Sequence, residues 1–187
     1  MTQEEVIGRV VEVLMQLGVP YMVAGSFASN LHGVPRMTQD ADLVIDADES
    51  LVVRLAKALE GEFYVSEDAA REAVRLRRMF NVIHLDTGFK IDLVIKKRRA
   101  FSDEELRRRE RGPLAGLQVD FATAEDTILT KLEWAKLGDS ERQYADAVGI
   151  MQVQGRRIDW TYLERWATAL GLTDLLARAR RGERYRD

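Results

Sequence analysis

Three short stretches of this chain hold residues whose types and spacing suit chemistry on phosphate. Gly25-Ser26 sits at a switch from an apolar run to a helical pattern. Backbone N–H groups at such a glycine turn and helix start form an anion site. Asp40-Ala41-Asp42 puts two carboxylates two residues apart. On a strand, residues two apart share a face, so these carboxylates stand side by side. Like charges that close destabilise each other's ionised form, and a cation between them removes the penalty. Hard oxygen donors suit Mg²⁺, which takes one or two protein carboxylates plus water and substrate phosphates. Asp92 interrupts the apolar run Lys90-Ile91-Asp92-Leu93-Val94-Ile95. An acid inside a core strand is costly unless it is paired, hydrogen-bonded or metal-bound.

The elements that must position these residues are legible in the periodicity. Residues 3–17 carry Val6, Val10, Val13, Leu14 and Leu17 at helical spacing, and Gly18 follows as a terminator. Tyr21-Met22-Val23-Ala24 reads as a buried strand ending at Gly25-Ser26, and residues 27–32 as a short helix. Residues 40–46, 79–84, 90–95 and 117–121 read as strands, with Asp86-Thr87-Gly88 as hairpin punctuation. Residues 49–60 form an amphipathic helix. Gly112-Pro113 reads as a turn. From Thr123, which opens a helix in the manner of a capping box, the pattern is helical only. Further helices are expected at about 140–153, 159–169 and 173–181. The expected fold class is α/β (α+β): a small mixed β-sheet flanked by helices over 1–121, then an all-helical C-terminal part over 122–187. Trp134, Trp160 and Trp166 are expected in the core, and His32 is expected to play a structural part.

Composition removes whole classes of chemistry. There is no cysteine among the 187 residues and only two histidines, His32 and His84. Disulfide scaffolds, thiol nucleophiles, cysteine zinc sites and three-histidine metal sites are all excluded. Charged residues make up 32% and apolar residues 46%, an ordinary balance for a globular domain. No apolar run approaches the roughly 18 residues needed to span a bilayer. The start, Met1-Thr2-Gln3-Glu4-Glu5, lacks the basic region of a signal peptide, so the expected location is the cytoplasm. The formal net charge of −3 argues against a surface that grips nucleic acid all over. Its distribution is uneven: residues 1–50 hold eight acids and two bases, residues 96–111 eight bases and four acids. The tail 177–187 holds five arginines. Solvated helix faces and a phosphate-rich partner are both compatible with these basic segments.

As an ordered set, the Gly-Ser pair, the aspartate pair and the later aspartate resemble the nucleotidyltransferase superfamily that includes DNA polymerase beta. The stretch AGSFASNLHGVPRMTQDADLVID is more specific and resembles the abortive-infection AbiE-type toxin branch (AbiEii), whose Arg-x-Thr-x-Asp-x-Asp wording is matched by Arg36, Thr38, Asp40 and Asp42. The segment AEDTILTKLEWAKLGDSERQYADAVGIM is similar to the same branch, with Lys131 and an Arg142…Asp146 pairing. The resemblance implies a nucleotidyltransferase fold and two Mg²⁺ ions held by Asp40, Asp42 and Asp92. It implies Gly25 and Ser26 on the triphosphate of an NTP and Lys131 on a β- or γ-phosphate. Asp92 would also accept the acceptor's proton. For Arg36 it leaves two roles, a phosphate contact or a salt bridge to the acid cluster that orders the 33–39 loop; for Thr38 it suggests a hydrogen bond beside the aspartates. Asp146 is placed near Lys131 or Arg142. The implied activity is transfer of a nucleoside monophosphate to a hydroxyl with release of pyrophosphate. A tRNA end is the acceptor that the branch favours, with a protein side chain or a small molecule such as an aminoglycoside as the alternative. The rival reading is a non-catalytic nucleotide-binding or protein-interaction module of a toxin–antitoxin pair, with an antitoxin as partner.

Overall fold

The computed structural model describes residues 1–186. The chain divides into two compact units. One comprises Met1–Ala24 and Thr38–Phe121, the other Gly25–Met37 together with the segment from Ala122 onward.

The first unit is a seven-stranded sheet with helices. Helix α1 (Gln3–Gln16) opens on a capping box between Thr2 and Glu5 and buries Val6, Ile7, Val10 and Leu14. Gly18, at φ +68°, ends it and turns the chain into β1 (Tyr21–Ala24). Strand β2 (Asp40–Ile45) leads to α3 (Glu49–Leu59), capped by Asp48. Then come β3 (Phe63–Val65), α4 (Glu67–Leu76), β4 (Met79–His84), β5 (Lys90–Ile95), α5 (Ala100–Arg108), β6 (Glu110–Leu114) and β7 (Leu117–Phe121). The strand order is β3-β4-β5-β2-β1-β7-β6. The β2–β5 and β1–β7 pairs are parallel, and the others are antiparallel. On β2 and β5 one face is fully buried: Ala41, Leu43 and Ile45, and Ile91, Leu93 and Ile95. The strict alternation leaves Asp40, Asp42, Lys90 and Asp92 together on the other face.

This confirms the mixed sheet and the helical C-terminal part expected from the sequence, with local corrections. Gly112-Pro113 is not a turn but lies inside β6, and the reversal falls at Ala115-Gly116, both at positive φ. β6 is the last strand of the sheet, where a proline without an N–H leaves no ladder bond unmade. β3, α4 and α5 also went unpredicted. α4 and α5 are rich in charge and bury only a narrow apolar face, Ala70 and Ala73 in one and Phe101 and Leu106 in the other.

The second unit is helical: α2 (Gly25–His32), α6 (Ala124–Gly138), α7 (Glu141–Gln154), α8 (Trp160–Leu170) and α9 (Thr173–Arg180). Thr123, Ser140 and Asp159 cap α6, α7 and α8 by accepting backbone N–H bonds. Its buried residues include Ile128, Leu129, Leu132, Ala147, Ile150 and Leu163. The 25–37 segment is tied to the C-terminal helices at several points. His32 Nε2 lies 2.8 Å from the Ala122 carbonyl, and Gln154 donates to the His32 carbonyl at 2.6 Å. Gly33 packs so closely that a Cβ there would stand 2.9 Å from Ile150 Cγ1. Trp134 is not a core residue: it is 52% exposed, because α6 turns that side outward while Leu132 and Ala135 face inward. No helix among the described residues is long and apolar enough to cross a membrane.

Candidate active site

The carboxylates come together through strand register. Parallel pairing of β2 with β5 sets Asp40 opposite Lys90 and Asp42 opposite Asp92. Antiparallel pairing sets Asn81 of β4 opposite Asp92. Residues opposed in register share a face, so the three predicted aspartates project from the same side of the sheet. Asp92 is 5% exposed, and both of its oxygens are engaged. Oδ2 accepts from Lys90 Nζ at 2.9 Å, and Oδ1 accepts from the Asn81 amide. The same Lys90 ammonium stands 3.7 Å from Asp40 Oδ2. Its pKa is raised, first by the hydrogen bond to Asp92 and then by the charges of Asp92, Asp40 and Asp42, against opposing desolvation. Thr38 lies just outside β2; its hydroxyl donates to the Asp40 carbonyl at 2.9 Å, fixing the start of the strand.

No group of three or more His, Asp or Glu side chains among the described residues is gathered closely enough to hold a metal ion as they stand. The donor set nevertheless fits a divalent cation. Three hard carboxylates share one face, and a cation, the Lys90 ammonium, already lies against two of them.

The helical unit holds a second polar cluster, centred on Asp146 of α7. Its carboxylate accepts from Arg36 Nε at 3.0 Å and Nη2 at 2.9 Å, and from Lys131 Nζ at 2.8 Å. Lys131 is 3% exposed, so it is a buried, paired lysine rather than a solvated one. Burial pushes the Asp146 carboxyl up, but the hydrogen bonds from Arg36 and Lys131 outweigh it and hold the pKa below its ordinary value. Arg36 Nη2 also donates to Ser26 Oγ at 2.8 Å. Gly25 takes φ +56°, a conformation that favours glycine, at the first residue of α2. Ala24, the residue before it, is opposite Asp42 in the sheet. Asn30 steadies the loop by accepting from Arg36 N and donating to its carbonyl.

Sequence reasoning named the three aspartates, Gly25, Ser26, Arg36, Thr38 and Lys131. It gave no role to Lys90 or Asn81. Both carried a signal: each is a polar residue in an apolar strand, on the parity of the aspartate it faces.

The basic segments are largely paired within their own units. Lys96 bonds Asp46 and Asp103, Arg107 bonds Glu104, and Arg109 and Arg111 both bond Asp120. In the tail, Arg180 bonds Glu164 and Arg181 bonds Glu183.

No protein-family model matches the chain, and no curated protein matches it significantly. Solved structures do. An antigenic nucleotidyltransferase-like protein from Paracoccidioides brasiliensis superposes with a TM-score of 0.59 at 15% identity, over 96% of this chain and 92% of that one. ANT(2″)-Ia in complex with adenylyl-2″-tobramycin gives 0.53 at 17% identity, over 97% and 99%. The lincosamide antibiotic adenylyltransferase LnuA, lincomycin-bound, gives 0.53 at 10% identity, over 82% and 98%. The fold is that of a nucleotidyltransferase. Within this nucleotidyltransferase fold, the open face of β2 and β5 carries the acids and the helical unit carries the Arg36–Asp146–Lys131 cluster.

Proposed function

We propose that this protein is a Mg²⁺-dependent nucleotidyltransferase that moves a nucleoside monophosphate from an NTP to a hydroxyl. One observation carries the reading: Asp40, Asp42 and Asp92 share one sheet face by strand register, in a fold common to nucleotidyltransferase-like proteins. The acceptor oxygen forms a bond to the α-phosphorus, the bond from that phosphorus to the bridging oxygen breaks, and pyrophosphate leaves. Asp92 is the group that takes the hydroxyl proton, its buried carboxylate being steadied by Asn81. Asp40, Asp42 and Asp92 are the ligands for Mg²⁺, which when bound neutralises phosphate charge and activates the attacking oxygen. Gly25 and Ser26 bind triphosphate. Ser26 Oγ accepts from Arg36, which leaves its own proton to donate to a phosphate oxygen. Lys131 serves a β- or γ-phosphate, held in place by Asp146.

The acceptor that best suits the charge distribution is a small hydroxylated molecule. The cations of segments 96–111 and 177–186 are mostly spent on neighbouring acids, which weakens the case for an RNA strand. The neighbours bound to a tobramycin adduct and to lincomycin support the same direction. The Arg36-x-Thr38-x-Asp40-x-Asp42 wording supports instead the toxin branch and an RNA end. The test is release of pyrophosphate from labelled NTPs with Mg²⁺ and panels of small hydroxylated molecules and of tRNA. Labelled product in the small-molecule panel, with little dependence on salt, supports the reading. Product only with tRNA, weakening steeply with salt, reassigns the acceptor. Pyrophosphate release that survives Asp42→Ala and Asp92→Ala unchanged overturns the site.

A further inference from the structure

Lys90 lies where a metal-bound enzyme needs a different cation. Register fixes it beside the acids: its Cα partner across the parallel ladder is Asp40, and Asp92 follows two residues later on the same face. Its ammonium touches Asp92 Oδ2 at 2.9 Å and faces Asp40 Oδ2 at 3.7 Å. The Asn81 amide occupies the other Asp92 oxygen. Each oxygen keeps a second lone pair, but a divalent cation at Asp92 Oδ2 comes within repulsive range of the Lys90 ammonium, and one at Oδ1 crowds the Asn81 amide. Lys90 is the one that must give way, since it alone carries a charge of the metal's own sign, on a flexible four-carbon stem. Were the ammonium to stay, it would repel the incoming ion at close range.

We propose that the Lys90 ammonium is a resident counter-ion that neutralises Asp92 and Asp40 in the metal-free protein and competes with the divalent cation for them. This rests on the metal-ligand reading of the three aspartates given above. It has a consequence for loading. Metal alone must expel an ammonium into solvent, whereas a metal–nucleotide complex brings phosphate charge to which that ammonium transfers. The ion therefore enters with its nucleotide and not before it.

Mn²⁺ binding, read by loss of the free-ion paramagnetic resonance signal, tests this without turnover. Wild type, Lys90→Met and Lys90→Gln are titrated with Mn²⁺ alone and with a non-hydrolysable NTP present. Both variants are expected to bind Mn²⁺ alone at least about tenfold more tightly than wild type. With nucleotide present the gap is expected to shrink. In thermal melts the variants are expected to start lower without metal and to gain more from Mn²⁺ than wild type does. A lysine that merely supports the strand would lower the melting temperature and leave Mn²⁺ affinity unchanged; that result, or weaker binding in both variants, overturns the proposal alone. Absence of Mn²⁺ binding in all three proteins, with and without nucleotide, overturns the metal site as well.

Discussion

Asp42 of β2 stands directly opposite Asp92 of β5 in a parallel ladder, so two carboxylates are held on one face by backbone hydrogen bonds rather than by side-chain choice. A folding unit gains nothing from that placement, because like charges in register repel. On the function proposed above, its use is to bind a cation.

Asp42→Asn and Asp92→Asn are therefore expected to separate activity from stability. Each should lower pyrophosphate release by about a thousandfold, the scale of losing a principal charge-stabilising group. The melting temperature of Asp42→Asn should fall by no more than a few degrees, since a half-buried carboxylate that faces another carboxylate is replaced by a neutral side chain of the same shape, a change worth under about 1 kcal/mol. Steady-state assays paired with calorimetry check both. A loss of activity matched by a collapse of Asp42→Asn stability would make Asp42 structural.

Asp146 is the hub of the helical unit, and its removal takes a paired carboxylate away from a lysine that is only 3% exposed. Asp146→Ala should cost about 3 kcal/mol, the usual range for breaking one side of a buried pair. Chemical denaturation measures it. Lys131→Met, which removes the buried charge itself, should cost less, since Arg36 still holds the carboxylate.

The same carboxyl fixes the sign of an acid dependence. Its pKa is lowered from 3.8, so its share of stability is full above that value and is lost as pH falls through the lower folded value. Melting temperature followed downward from pH 5 should drop in the wild type below about pH 4. In Asp146→Asn the drop should be shallower. Parallel curves for the two proteins would remove Asp146 from the account.

Gly33→Ala probes how tightly the 25–37 segment is seated on the helices. The new Cβ would meet Ile150 N and Ser29 O at 3.0 Å each, and backbone cannot swing aside as a side chain can. A loss of about 2 kcal/mol is expected, within the range for overpacking. If denaturant melts show no loss, the close approach of Gly33 to α7 is wrong.

Trp134 and Leu132 are two residues apart on α6, one 52% exposed and the other 0%. Leu132→Ala should cost about 3 kcal/mol and Trp134→Ala well under 1 kcal/mol. Equal costs measured by denaturation would return Trp134 to the core.

The sequence by itself determined the acids and the elements that carry them. The two-residue spacing of Asp40 and Asp42, the apolar run of 90–95 and the helical spacing in 3–16 are local properties, set by which face each residue must bury. The shared face of Asp40 and Asp42 followed from that spacing, whereas Asp92 joined them only through strand pairing. Composition excluded thiol and multi-histidine chemistry just as directly. The tertiary structure decided what depends on distance in space. β2 pairs not only with β1, its neighbour in sequence, but on its other edge with the distant β5, which is why Asp42 meets Asp92 and why Lys90 reaches both Asp92 and Asp40. Arg36 goes to Asp146, 110 residues away, since a guanidinium finds the carboxylate that packing brings to it and not the one nearest in sequence. Gly25–Met37 joins the helices although the strands on either side of it belong to the sheet. Periodicity records which face of an element is buried; it does not record which other element buries it, and that pairing is set by packing alone.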